Sequence, residues 1–186
     1  MDRTMYWILK ENDAMSDYNY TVGVPDGIDM LEWFSGKSIP SLRVPVNMTL
    51  KAGASDYRGD IMGGMMTLYS KELLIMLQEF GVDNVQYRPV DLLDPDTNET
   101  EYGYFLVNIV GLIECVKGYD HNAKPLDRPT SLEKFTIDPE KAGDAAIFRL
   151  AESPRLVIIN DELKNYLVDN GLSGAILCET DEYTIS

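Results

Sequence analysis

The hydrophobic and polar positions fall into short runs with different periods. MYWILK, residues 5–10, is apolar and aromatic and predicts a first strand, and the polar segment from Glu11 to Pro25, rich in Asp, Asn and Tyr, predicts a loop. Ile28, Leu31 and Phe34 recur every three residues before Ser35 and Gly36, the pattern of one or two helical turns. Leu42, Val44, Val46, Met48 and Leu50 alternate with polar neighbours, as in a half-buried strand, with Pro45 on the opposite parity and best placed at an edge. GASDYRGDIMGG has no period and predicts a loop.

The clearest helix signal is SKELLIMLQEFGV, Ser70 to Val82. Ser70 is a good N-cap, Glu72 meets the positive end of the helix dipole, Leu73, Leu74, Leu77 and Phe80 form a stripe, and Gly81 closes the helix. The pattern returns without a gap as NDELKNYLVDNGL, Asn160 to Leu172, where Asn160 caps and Leu163, Tyr166 and Leu167 line one face before Gly171. Both copies read as strand, helix, glycine turn, strand. The matching residues are caps, stripe and closing glycine, so the echo marks a reused packing element rather than twin sites. A repeat of about ninety residues is too long for a solenoid.

Val85, Tyr87 and Pro89 open another strand, which the proline is expected to shorten, and DPDTNETEYG is a polar turn. YFLVNIVGLIECV, the longest apolar run, predicts one strand buried on both faces at the centre of a sheet. Residues 117–128 are charged, hold the single histidine, His121, and predict an exposed loop; FTIDPE, AAIFRL, LVIIN and AILCE are strand-like. Together these elements predict an α+β fold with a mixed or mainly antiparallel sheet packed against two principal helices, in one domain over 1–186 with 1–55 a candidate N-terminal subdomain.

Charge narrows the choice of partner. The 186 residues include 31 acids and 16 Lys and Arg, a net −15 with a pI of about 4.3, so the surface repels phosphate backbones and anionic lipid and attracts a basic protein. Asp91, Asp94, Asp96, Glu99 and Glu101, with Glu179, Asp181 and Glu182 near the C-terminus, are the candidate partner-binding residues; solvated turn chemistry is the alternative. No apolar run approaches the roughly 20 residues that span a bilayer. No signal peptide is visible, and the expected location is cytoplasmic.

Catalytic patterns are sparse. HExxH, CxxC, P-loop, GxSxG and GxGxxG signatures are absent, which excludes no carboxylate-based hydrolase but leaves metal and cofactor chemistry without a motif. His121 beside Asp120 has the composition of a base oriented by a carboxylate, against a solvated loop histidine as the simpler reading. Cys115 and Cys178 lie in apolar runs and read as small buried side chains. EWFSG offers Trp33 and Phe34 as an interface anchor or as core.

The order GDIMGGMMTLYSKELLIML, VQYRPVDL, YGYFLVNIVGLIECV, AIFRL and NGLSGAIL, from Asp60 to Leu177, resembles a family of bacterial polymorphic-toxin immunity proteins. AIFRL and NGLSGAIL are its most specific parts. The resemblance implies a small α+β protein, encoded beside a toxin gene, that protects the producing cell by binding a cognate toxin, with no catalytic residue to carry over and no cofactor; the acidic charge makes a basic toxin the expected one. Such proteins meet toxins through variable surfaces, so no binding residue transfers by position. The alternatives are a carboxylate-dependent hydrolase and a general acidic interaction module.

Overall fold

The computed structural model describes residues 5–12, 20–39, 44–53, 57–122 and 132–185. In chain order its strands are β1 (Tyr6–Glu11), β2 (Tyr20–Val22), β3 (Val46–Leu50), β4 (Ile61–Gly64), β5 (Leu68–Ser70), β6 (Val85–Leu93), β7 (Thr100–Ile109), β8 (Leu112–Ile113), β9 (Ile147–Leu150), β10 (Ser153–Asn160) and β11 (Ala175–Glu179). The helices are α1 (Met30–Trp33), α2 (Lys71–Phe80), α3 (Pro139–Ala142) and α4 (Asp161–Asp169).

The fold is α+β, and it has two sheets where the periodicity predicts one. Strands β2-β3-β6-β7-β5-β4 close into a barrel, and β11-β1-β10-β9-β8 form a five-stranded sheet; both are mixed. The barrel closes where β2 runs parallel to β4, with Thr21 opposite Gly64. A Cβ on Gly64 would lie 2.6 Å from the Thr21 carbonyl oxygen, so only glycine permits that approach. This closure was invisible to the hydrophobic pattern: β2 lies inside the polar segment read as loop, and β4 inside GASDYRGDIMGG, also read as loop.

Two further expectations are corrected. The run YFLVNIVGLIECV is not one strand, because β7 ends at Ile109 in the barrel and β8 begins at Leu112 in the other sheet. Gly111 marks the crossing, donating to the Gly36 carbonyl while its own carbonyl accepts from Arg149 of β9. Pro89 does not shorten β6, which continues to Leu93. It faces Phe105 on β7 at the last position before β3 joins the other side, opposite Val90, so its missing N–H removes no bond to β3. Pro45 precedes β3, and Val44 is exposed; Leu42 lies outside the described residues.

The helix punctuation is as read. Ser70 and Asn160 accept from the backbone N–H of Leu73 and Leu163 at 3.0 and 2.9 Å. Gly81 and Gly171 both adopt positive φ, and Val82 and Leu172 donate to the Leu77 and Leu167 carbonyls at 2.9 and 3.0 Å, the same closing bond in each copy.

The echo extends far beyond the helices. In the barrel the order β4-β5-β7-β6 surrounds α2, and in the sheet the order β9-β10-β1-β11 surrounds α4. In each unit the strands before and after the helix flank a third that is antiparallel to both. The registers coincide: Leu68, Tyr69 and Ser70 face Leu106, Phe105 and Tyr104, while Ile158, Ile159 and Asn160 face Ile8, Trp7 and Tyr6. Gln86, Tyr87 and Arg88 face Asn108, Val107 and Leu106, as Ile176, Leu177 and Cys178 face Lys10, Leu9 and Ile8. One building element is therefore used twice, residue for residue.

Alternation along these strands makes three cores. Met62, Leu68 and Leu106 point into the barrel with Trp33; Phe148, Ile158 and Ile8 point to the far side of the second sheet with Cys115, Phe135 and Ile137. The intervening parity, Ile61, Tyr69 and Val107 from one unit and Ile147, Ile159 and Leu9 from the other, meets in a shared central layer with Leu73 and Leu77 of α2 and Leu163 and Leu167 of α4. Phe80 and Tyr166, four positions apart in the helix alignment, bring the two helices together with ring centroids 5.3 Å apart.

Candidate partner-binding surface

The acidic residues divide into those the fold consumes and those it leaves to solvent. Asp94 builds the β6–β7 turn: its carboxylate accepts from the Asp96 and Thr97 N–H groups, and its own N–H donates to the Glu99 carbonyl. Asp96 accepts from the Gly53 N–H, tying this turn to the one after β3. Glu101 receives a fork from Arg58, Nε to Oε2 at 3.0 Å and Nη2 to Oε1 at 2.5 Å, with the Arg58 side chain only 11% exposed. Asp91 lies within β6 opposite Asn47, beside the irregularity between Val90 and Leu92.

Glu99, Asp181 and Glu182 are exposed, and Glu179 is half-buried where β11 ends. The two acidic groups occupy corresponding places in the duplicated unit, around the ends of β6 and β11, but on separate sheets. They do not form one cluster by way of the sequence. What unites them is the net charge of −15, which gives a basic protein a favourable approach to the whole molecule.

His121 is not the solvated loop residue that the sequence predicts. Its side chain is 28% exposed and packs on Tyr119 with centroids 4.9 Å apart; Nε2 lies 3.2 Å from Oε1 of the fully buried Glu152, and Nδ1 lies 3.8 Å from Glu114. The orienting acid is Glu152, from the turn between β9 and β10, while Asp120 accepts from the Asn122 N–H instead. Two acids and the histidine do meet, yet the adjoining groove is lined by residues 116–120 and 132–136 and by neither His121 nor Glu152. Glu152 Oε1 also accepts from the Val116 N–H at 2.9 Å, which makes it a brace for the 114–122 segment. Cys115, alongside, is fully buried, and burial followed by the charge of Glu152 pushes its thiol up to about 12, far from a nucleophile. Among the described residues no group of His, Cys, Asp and Glu is arranged to hold a metal.

Trp33 is core: it is 2% exposed and donates from Nε1 to the Val107 carbonyl at 2.7 Å. Phe34 carries the Arg149 guanidinium at 4.9 Å and that of Arg155 at 5.6 Å from its centroid. Burial lowers the pKa of Arg149, whose Nη1 donates to the Pro154 carbonyl.

A surface that sequence reasoning missed lies outside α2. Between this helix and strands β6 and β7 runs an open groove of about 460 Å³, walled by Leu74, Ile75, Val85, Tyr87 and Phe105. Ile75 and Tyr87 are 43% and 50% exposed, and Tyr87 meets Phe105 edge to face at 5.5 Å. The signal lay in the echo, at positions where the copies differ: Leu74 and Ile75 stand where the second helix has Lys164 and Asn165.

The chain is thus a duplicated α+β scaffold with an acidic surface and an open apolar groove. No helix among the described residues is long and apolar enough to cross a membrane. The chain matches the immunity protein family (Imm11) over residues 8–180 and belongs to it. Toxin immunity is the function that membership implies, with a toxin as the partner. No curated protein matches the chain.

Proposed function

We propose that this protein is a stoichiometric, non-enzymatic inhibitor that binds one cognate toxin in the cytoplasm and covers its active site or substrate groove. Membership of the immunity family over residues 8–180 carries the reading. The charge of −15 supports a basic toxin, because approach of opposite charges raises the association rate and disfavours nucleic acid and anionic membrane as competitors. In this reading residues 1–186 act as one immunity-type domain without a cofactor. The exposed Glu99, Asp181 and Glu182, with half-buried Glu179, steer the encounter; Asp91, Asp94, Asp96 and Glu101 shape the turn that presents it.

The test is to express the product of the neighbouring toxin gene alone and with this protein. Rescue of growth and a one-to-one complex are expected, with an association rate that falls steeply as added salt shortens the Debye length below about 10 Å. A harmless neighbour that forms no complex overturns the reading, and a salt-independent rate overturns its electrostatic part.

A further inference from the structure

The two register-matched units supply an internal control for each surface they share. In the second unit the place between helix and middle strand is filled by the chain's own side chains. Lys164 Nζ lies 4.5 Å from the Trp7 ring centroid, and the Trp7 indole N–H donates to Asp161 at 3.0 Å. The strand register puts Phe105 where Trp7 stands, and the helix alignment puts Leu74 at the position of Lys164 and Lys71 at that of Asp161. Leucine has no charge to lay over a ring, and phenylalanine has no N–H to donate. The equivalent place in the first unit is accordingly the open groove of about 460 Å³, within the size range of ligand sites.

We propose that this groove is a docking site for the toxin, and that its occupant is a basic segment whose Lys or Arg side chain lies across Tyr87 and Phe105 as Lys164 lies across Trp7. The inference rests on the toxin-binding reading above and names the surface and the chemistry that reading leaves open. An alkyl stem fits along Leu74 and Ile75 while its charge faces the rings. Lys71 and Asp83 also line the groove, one at the first residue of α2 and the other just beyond its last. That polarity orients the segment, with the cation toward Asp83. The net charge of −15 favours a cationic occupant over an acidic one.

Calorimetry with a catalytically inactivated form of the neighbouring toxin tests this on the full chain. Ile75 is exposed, so Ile75→Arg and Ile75→Glu leave the core intact. Ile75→Arg, and separately the double change Lys71→Asp with Leu74→Lys that copies the covered unit, are expected to weaken binding about 30-fold or more. Ile75→Glu should bind at least as tightly as the parent, and Lys164→Leu, on the covered unit, should bind equally. Equal affinity for all variants overturns the groove; loss in both Ile75→Arg and Ile75→Glu means an apolar occupant and overturns the cationic assignment.

If the parent binds no toxin, the immunity reading fails on its own, and the groove is judged with acetyl-Leu-Arg-amide. Shifts of the Leu74 and Ile75 methyl and Tyr87 ring resonances in the parent but not in the double variant uphold it. Unshifted resonances overturn it.

Discussion

Ser70 donates its hydroxyl hydrogen to Asp60 Oδ1 at 2.5 Å, and through that bond the N-cap of α2 is tied to the other half of the molecule. The second carboxylate oxygen, Oδ2, accepts from the N–H and hydroxyl of Ser173, in the turn after α4, at 2.7 and 3.1 Å. The Asp60 backbone adds a bond to the Ser173 carbonyl and one from the Ser70 N–H, both at 2.9 Å. Asp60 is 8% exposed, so its removal strands the buried Ser70 hydroxyl and takes the carboxylate partner from Ser173 of the other unit. Asp60→Ala is expected to cost about 2–4 kcal/mol of unfolding free energy. Urea titration checks this, and a loss under about 1 kcal/mol would mean water replaces the carboxylate.

Barrel closure gives a second expectation. Gly64→Ala would set a methyl against the Thr21 backbone at a φ of +139°, whereas Gly103 has a φ of +97° and open space around it. Gly64→Ala should cost more than about 2 kcal/mol and Gly103→Ala about 1 kcal/mol. Comparable losses in the two thermal melts would show that β2 and β4 separate without difficulty.

Alkaline pH should destabilise the fold through Cys115. Its thiol is raised by burial from 9.0 to about 12, so the unfolded chain ionises first as pH rises. The contribution is full below about pH 9 and declines from there toward pH 12. Burial raises Tyr69 and Tyr104 as well, which adds to the fall above pH 10. The melting temperature of the parent should drop across this window, and Cys115→Ala should show a shallower drop from its own lower starting point. Identical slopes would remove Cys115 from the account.

The acidic residues should separate by assay. Asp181→Asn with Glu182→Gln, both exposed, should slow toxin association about 2- to 10-fold at low salt and leave the melting temperature unchanged. Glu101→Gln should instead lower stability by about 1–2 kcal/mol, since it breaks the fork with Arg58. Stopped-flow rates and melts read side by side decide it; a stability loss in the first pair would reveal a hidden structural role.

The parts of the fold legible in the sequence were those set by neighbours along the chain. Ser70, Gly81, Asn160 and Gly171 announce their helices because capping uses backbone groups three or four residues away. The division of YFLVNIVGLIECV between two sheets depends on Gly36 and Arg149, distant in sequence, and an apolar run looks alike on either side of the break. β2 and β4 are three and four residues long, too short for alternation to register. At the binding surface the acidic residues were visible but their roles were not, since Arg58 and Gly53 come from another part of the chain. The open groove was legible only as a mismatch between two otherwise matching segments.

Because β7 follows β6 directly while β1 comes before every other strand, the two units differ in when they can be completed. The barrel strands have all left the ribosome once residue 109 is clear, but β1 must wait for β10 and β11 before it has a neighbour on either side. During synthesis the earliest of the described strands is thus enclosed only when the latest emerge, an apolar ribbon of Tyr6, Trp7, Ile8 and Leu9 held open while the residues between are made. A nascent chain that stalls before Asn160 carries that ribbon unpaired, which makes the interval before β10 and β11 emerge the one most exposed to aggregation and to capture by chaperones.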